Sequence, residues 1–114
     1  MSESKLRTQS MDFAVSIINL VKRWKEKRES IISNQIGRSG TSIGANISEA
    51  QNAQSRADFV SKLSIALKET TESKYWLRLL HATDYLTNEE FHSVYTDCSE
   101  IEKILVSSIK SIKQ

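Results

Sequence analysis

Few residues of this chain have the types and spacing that catalysis or metal binding requires. The two histidines, His81 and His92, stand eleven residues apart, and Cys98 is the one cysteine. Zinc sites use closely spaced cysteine and histidine pairs, and metal sites in helical bundles use Glu-x-x-His pairs. Glu69 and Glu72 have no histidine three residues further on. We therefore predict that the chain binds no metal and no cofactor and is not an enzyme.

A run of cations is the remaining group with an evident chemistry. Residues 22–28 read Lys-Arg-Trp-Lys-Glu-Lys-Arg, and residues 1–40 carry eight Lys or Arg against four Asp or Glu. One interpretation is a solvated helix end, whose cations complement the helix dipole. The other is a phosphate-binding patch, to which Trp24 could add base stacking if it were exposed. The candidate nucleic-acid-binding residues are Lys22, Arg23, Lys25, Lys27, Arg28 and Arg38.

The segment that follows these cations contains all three glycines of the chain. Gly37, Gly40 and Gly44 lie within 35–53, and no Lys-Ser or Lys-Thr follows them as in a phosphate loop. At about 100° per residue they fall on one arc beside a stripe of isoleucines. Because each mid-helix glycine costs about 1 kcal/mol relative to alanine, we predict a helix whose glycine edge admits a neighbouring helix closely. A flexible loop is the alternative, but it does not explain the isoleucine spacing.

Apolar periodicity predicts four helices, so the predicted fold class is all-α. Their ranges are about 10–27, 33–52, 56–83 and 88–112. Candidate N-cap residues are Ser10, Ser33 (with Ser30 as a competing start), Ser55 and Thr87. At the last of these, Glu90 completes a capping box. Short connections between the helices predict an up-down-up-down four-helix bundle.

The first predicted helix carries more apolar surface than one bundle core needs. One stripe consists of Met11, Ala14, Val15, Ile18 and Val21. A second stripe lies more than about 90° away around the same helix, so a second surface must be covered. The candidate oligomer-interface residues are Phe13, Ile17, Leu20 and Trp24 of this second stripe, with Ile65, Trp76 and Leu79 of the third helix. We therefore predict a homo-oligomer.

Composition limits the class of protein further. The 114 residues contain no proline and fit one domain, 1–114. No apolar run is long enough to cross a membrane, and the first residues lack the apolar core of a signal peptide. A single cysteine offers no disulfide framework and suits a reducing interior. We expect a cytoplasmic protein with no membrane partner.

The glycine-bearing segment resembles the signature of bacterial four-helix-bundle proteins encoded in 23S rRNA intervening sequences. The matching positions in Q-I-G-R-S-G-T-S-I-G-A-N-I-S-E-A are Gln35, Arg38, Ser42, Ile43, Asn46, Ile47 and Glu49. Further matches are Phe59 with Leu63-Ser64-Ile65-Ala66, and Leu86-Thr87-Asn88-Glu89-Glu90-Phe91. The resemblance therefore extends over nearly the whole chain.

This resemblance implies homopentamers with a tapered central channel. The chain is also similar to the accessory protein of diversity-generating retroelements, which works with a reverse transcriptase and nucleic acid. Gly44 stands where the family usually has proline, and Gly37 and Ala53 stand where it often has arginine. The loss of two basic positions weakens the expectation of nucleic-acid binding.

Two classes of function remain open from the sequence. The first is a non-enzymatic, oligomeric, nucleic-acid-associated protein that binds RNA or single-stranded DNA weakly through a basic rim. Copies of a weak patch in one assembly can bind a polyanion more tightly than one copy does. The second is a structural or interaction module whose partner is another protein. The salt dependence of nucleic-acid binding by the intact oligomer discriminates between them.

Overall fold

The chain forms four helices and, over the part that the structure describes, no strand. The computed structural model describes the backbone of residues 2–113 and the side chains of residues 5–112. The helices are α1 (Ser2–Glu26), α2 (Ile31–Ala50), α3 (Arg56–Ala82) and α4 (Asn88–Lys113). The all-α prediction with four helices is confirmed.

Helix α1 begins eight residues before the predicted start, so the prediction of Ser10 as its N-cap is wrong. Leu6 is buried and extends the apolar stripe of Phe13 and Ile17 by two further turns. Packing of this stripe therefore stabilises the helix beyond the local capping signal. Ser10 lies inside the helix, where it is buried and its hydroxyl donates to the carbonyl of Arg7.

The start of α2 also differs from the prediction, because an acidic side chain supplies the cap. Ser30 stands at the N-cap position but makes no capping bond through its side chain. The Glu29 carboxylate accepts hydrogen bonds from the backbone N–H groups of Ile32 (2.7 Å) and Ser33 (2.9 Å). Ser33 lies inside the helix, and its hydroxyl donates to the carbonyl of Glu29. A buried carboxylate therefore satisfies two of the free N–H groups at this helix end.

The caps of α3 and α4 agree with the sequence. The Ser55 hydroxyl accepts from the Asp58 N–H at 3.0 Å. At α4, the Thr87 hydroxyl accepts from the Glu90 N–H at 3.1 Å, and the Glu90 carboxylate accepts from the Thr87 N–H at 3.0 Å. This reciprocal pair is the predicted capping box. Both signals are local, and the structure retains them.

Left-handed residues end α1 and α3, and neither residue is a glycine. Arg28 and Asp84 have φ angles of 65° and 68°. The residue after each of them donates its N–H to a carbonyl five residues earlier, at 3.0 Å and 2.9 Å respectively. These bonds form two Schellman motifs, which turn the chain within a few residues. The short connections follow from these turns.

The helices pack in a cycle in which each contacts two others. Helix α2 packs against α1 and α3, and α4 packs against α3 and α1. The molecule measures 44 × 21 × 19 Å, so the bundle has a nearly square cross-section. The largest side chains that the packing buries completely are Trp24, Phe13, Ile17, Ile36, Ile43, Ile47, Leu77, Leu80, Ile101 and Leu105. No helix within residues 2–113 is long and apolar enough to cross a membrane.

The glycine edge of α2 lies against α1. A methyl group added at Gly40 would come within 3.2 Å of the Ile17 side chain, which is tighter than ordinary contact. A methyl group at Gly44 would meet Ser10 at 3.5 Å or more, and one at Gly37 would meet Val21 at 3.7 Å. A methyl group at Gly40 therefore requires Ile17 to move by a few tenths of an ångström, whereas the other two positions have room for one.

This difference predicts unequal effects for two alanine substitutions. Gly44→Ala should raise the free energy of unfolding by about 0.5–1 kcal/mol, because it removes the conformational cost of glycine without a clash. Gly40→Ala should gain less or lose stability, because fully buried Ile17 must move. Urea denaturation at one protein concentration measures both values. Equal stabilisation by the two substitutions would contradict the tight contact at Gly40.

Candidate interaction surfaces

All six predicted nucleic-acid-binding residues are exposed, and four of them lie at one end of the bundle without an ion-pair partner among the described side chains. Lys22, Lys25, Lys27 and Arg28 are all exposed, and among the described side chains none of them has a carboxylate within 4.0 Å. Arg23 differs, because it forms an ion pair with Glu90 of α4 at 2.6 Å. The free cations therefore come from the last turn of α1 and the connection that follows it.

Arg38 faces α3 and is engaged by two carboxylates. Its guanidinium donates to Glu69 at 3.1 Å and to Glu72 through a short bond. These bonds raise the pKa of Arg38. The pKa of Glu72 is lowered, first by the hydrogen bond that the Trp76 indole donates to it at 3.0 Å and then by Arg38. Because two carboxylates surround one guanidinium, this site offers no free cation to a phosphate.

The end of the bundle that carries the free cations is balanced in charge overall. Residues 22–30 hold five cations and two carboxylates, whereas residues 81–90 hold three carboxylates and no Lys or Arg. The two segments adjoin each other, since Arg23, Lys27, Asp84 and Glu90 line one surface depression. Any phosphate-binding surface is therefore confined to the α1–α2 side of this end.

Trp24 connects α1 to the α3–α4 connection and is not available to a ligand. Its side chain is fully buried, and its indole N–H donates to the carbonyl of Tyr85 at 2.9 Å. The sequence analysis made base stacking depend on exposure of this residue, and the structure shows it buried. The tryptophan stabilises the contact between two segments that are distant in the sequence.

The structure corrects the oligomer-interface prediction for α1. Phe13, Ile17 and Trp24 have relative exposures of 1% or less, and Leu20 packs partly buried against the same core. Side chains buried within one chain cannot contact a second copy. The stripe that remains uncovered is the other one, with Met11, Val15 and Ile18 exposed by 64%, 52% and 45%. The physical reason is size, because burying Phe, Ile, Leu and Trp removes more apolar area from water than burying the smaller set does.

The predicted interface residues of α3 lie at the surface to different degrees. Ile65 is 39% exposed, and Trp76 and Leu79 are half-buried. Tyr75, which the sequence analysis did not name, is 52% exposed and packs edge-on against Trp76. Tyr75 lies about 80° from Ile65 around the helix, outside the stripe that Ile65 and Trp76 share, so the periodicity of that stripe does not identify it.

A groove runs along the exposed stripe of α1. Its volume is about 380 Å³. Met11, Ala14 and Ile18 form its α1 wall, and Thr41, Gly44, Ala45 and Ser48 form its α2 wall. The groove exists because the outer side of α2 carries only small side chains at this level. Arg7 and Ser10 complete the α1 wall, and an apolar side chain from another molecule could enter the groove beside Arg7.

The cysteine and His81 make contacts within the fold that indicate structural roles. Cys98 is fully buried, lies 3.6 Å from the carbonyl of Thr70, and has a pKa raised to about 12 by burial. A thiol in this environment is not a nucleophile at neutral pH. His81 is hydrogen-bonded to Asn88 at 2.7 Å and stacks on Phe91. Within the described residues, no group of three or more His, Cys, Asp or Glu could hold a metal ion.

Comparison with known proteins shows the family of this chain and solved structures that resemble it. A family model described as 23S rRNA-intervening sequence protein matches residues 2–107. A crystal structure from Bacteroides thetaiotaomicron is 53% identical, with a TM-score of 0.94 over 96% of this chain and 99% of that chain. It is described as a protein of unknown function from the S23 ribosomal protein family. None of the curated proteins matches this chain significantly.

The Glu72 environment predicts a pH-dependent contribution to stability. Because its pKa in the folded chain lies below the ordinary value of 4.5, its stabilising effect is present above that value and is lost as the pH falls through the folded pKa. Glu72→Gln should therefore lower stability at neutral pH and make it depend less on pH between about 5 and 3. Chemical denaturation at several pH values measures this.

The matched control is Glu89→Gln, an exposed residue of α4 with no ion pair among the described side chains. It should leave the pH dependence close to that of the unmodified protein. An identical effect of both substitutions would contradict the role of the Trp76–Glu72–Arg38 cluster.

Proposed function

The chain belongs to the family of 23S rRNA-intervening sequence proteins, and from that premise we propose that it is a non-enzymatic protein that assembles with copies of itself. The observation that carries this proposal is the exposed stripe of Met11, Val15 and Ile18 beside an apolar groove. Contiguous apolar surface of this kind marks interaction sites on soluble proteins. Single exposed apolar residues are ordinary, but three at steps of four and three residues form a continuous strip along one helix.

The proposed arrangement of each subunit is the up-down-up-down bundle. Contacts between neighbouring helices support alternating chain directions. Along each pair of neighbours, the residue numbers of the contacts rise on one helix and fall on the other, as they do in antiparallel helices. Such pairs are Gly37 with Val21 and Gly44 with Ser10, Ser39 with Ser73 and Glu49 with Lys62, and Lys74 with Glu102 and Arg78 with Tyr95. A bundle of this kind is uniform along its length and can pack against copies of itself side by side.

A ring of five copies is the assembly that the family resemblance implies, and we propose it here. Lateral packing of rod-shaped subunits around an axis gives a ring with a central channel. In such a ring the apolar strip of each subunit would be buried by a neighbour, which accounts for its exposure in a single chain. The absence of enzymatic activity remains part of the proposal, and the structural roles of Cys98 and His81 support it.

The expected result of light scattering is a mass several times the 13.0 kDa of one chain at micromolar concentration. Substitution of Val15 by glutamate should reduce that mass, because an interface would then bury an unpaired carboxylate. Circular dichroism should show unchanged helicity, since Val15 is about half exposed. A stable monomer for the unmodified protein would refute the proposal.

Binding of a polyanion is a second candidate function. The observation in its favour is the group of four exposed cations without carboxylate partners among the described side chains, Lys22, Lys25, Lys27 and Arg28. Contacts from such side chains go to the phosphate backbone and carry no sequence information. Repetition around an assembly would strengthen a weak site, provided that one strand reaches several copies. A protein partner that uses the same surface is the alternative.

This candidate predicts weak binding to single-stranded RNA that falls steeply with added salt. Combined substitution of Lys25, Lys27 and Arg28 by glutamine should abolish it without changing the mass of the assembly. The matched control replaces Lys5, Lys103 and Lys110 by glutamine. These lysines are also exposed, and their replacement removes the same number of charges. Fluorescence anisotropy at several salt concentrations measures the affinities. No binding at low salt, or an equal loss in both variants, would exclude a site at this end of the bundle.

A further inference from the structure

Two separate apolar patches are exposed on this chain, and they lie on different sides of the bundle. The first, which we call the α1–α2 face, consists of Met11, Val15 and Ile18 with the groove beside α2. The second, the α2–α3 face, consists of Ile65, Tyr75, Trp76 and Leu79. Trp76 orients the second patch toward α2, because its indole bonds to Glu72, and Glu72 in turn pairs with Arg38 of α2.

The two faces adjoin the same helix and are therefore adjacent sides of the bundle. In a cross-section of 21 × 19 Å, adjacent sides face directions about 90° apart. Subunits that join through two sides at about this angle turn by about 90° per contact and close into a small ring. Patches on opposite sides would instead continue into an open filament. The placement of the faces therefore favours closure.

The two faces also lie at the same level along the bundle axis. Ile17 packs against Gly40, and Ser73 is hydrogen-bonded to the adjacent Ser39, so Ile17 and Ser73 share one level. With a rise of about 1.5 Å per residue, the patch on α1 extends from about 2 Å above this level to about 9 Å below it. The α2–α3 face, from Leu79 to Ile65, extends from about 9 Å above to about 12 Å below this level and so spans the whole α1 patch. Contact between the faces needs no shift along the axis, which a closed ring requires.

Charge disfavours the pairing of the first face with itself. Arg7 and Lys22 lie one helical turn beyond the two ends of the α1 strip, four residues from Met11 and Ile18 respectively. A two-fold antiparallel contact would bring Lys22 of one copy beside Arg7 of the other, and the two positive charges would repel each other. The α2–α3 face carries Glu69 and Glu72 with Arg38 and with Lys68, whose charge also acts on Glu72, so its charges balance and do not repel the basic ends of the first face. The second face is thus the better partner for the first.

We propose that the copies join head to tail, with the α1–α2 face of one chain packed against the α2–α3 face of the next and the bundle axes parallel. This inference rests on the proposed self-assembly and names its two surfaces. Each chain uses both faces, so every contact in the ring is the same and no apolar strip is left exposed. Tyr75 and Ile65 of one chain cover Val15 and the groove of its neighbour.

The experiment uses two variants that each disable one face, Val15→Glu and Ile65→Glu. Each variant alone should lose assembly, with at least about a 100-fold weaker association, because a contact would bury an unpaired carboxylate. A mixture of the two should form a complex of two chains only, since one intact face remains on each partner and no further chain can add. Light scattering and sedimentation measure the masses. Val106→Glu, at an exposed site on α4, is the control and should assemble as the unmodified protein does.

A cross-linking measurement keeps the test decisive if the two-chain complex is weak. The double variant Val15→Cys, Ile65→Cys, treated with a short bifunctional maleimide, should give a ladder of linked chains that ends at the size of the ring. Each single cysteine variant should give no ladder. Cys98 should not react, because it is fully buried and its pKa is raised to about 12.

The possible failures are distinguishable. A monomeric unmodified protein would overturn the self-assembly and this pairing together. An assembled protein whose size is unaffected by Ile65→Glu would overturn the pairing alone and leave self-assembly standing. Linked dimers from the single Val15→Cys variant would show that the α1–α2 face pairs with itself, and they would also overturn the proposal.

Discussion

The contact between Ile17 of α1 and the glycine edge of α2 is the constraint on which the rest of the structure depends. Gly40 has no side chain, so Ile17 approaches to 3.2 Å from the position that a methyl carbon would take, which is closer than ordinary contact. Three glycines cost α2 about 3 kcal/mol of helix propensity. Burial of Ile17 together with Phe13 and Trp24 offsets this cost, because each buried large apolar side chain contributes about 1.5–3 kcal/mol. The close approach also fixes which side of α1 faces inward.

Polar contacts then set the register of α2 against α3. Ser39 and Ser73 are both fully buried and bond to each other at 2.9 Å, so a shift of one turn would leave two buried hydroxyls without a partner. At the surface of the same interface, Arg38 binds Glu69 and Glu72. Arg38 lies at a matching position of the family signature, and its charge is neutralised by these two carboxylates. The arginine contributes to a helix–helix contact in this chain, and the polyanion hypothesis depends on the cations at the end of α1.

The orientation of α1 has direct consequences for the surface. Once Phe13, Ile17 and Trp24 are turned inward, Met11, Val15 and Ile18 must face water. The small residues of α2 that allow the helices to approach also leave a groove beside this strip. The same feature of α2 therefore stabilises the core and shapes the surface through which we propose the chain to assemble. On α3, the bond from Trp76 to Glu72 holds the second apolar patch at the border with α2.

The sequence by itself determined the features that depend on neighbouring residues. These are the four helices, the caps at Ser55 and Thr87, the glycine edge of α2 and the family signature. The tertiary structure decided the features that depend on distant residues. Burial of Leu6 extended α1 past Ser10, and packing against α2 selected one of two apolar stripes on α1. Arg38 and Glu69 are 31 residues apart, so their pairing is not a pattern in the sequence. Periodicity gives the angle between two stripes on a helix, but only the neighbouring helices decide which stripe they cover.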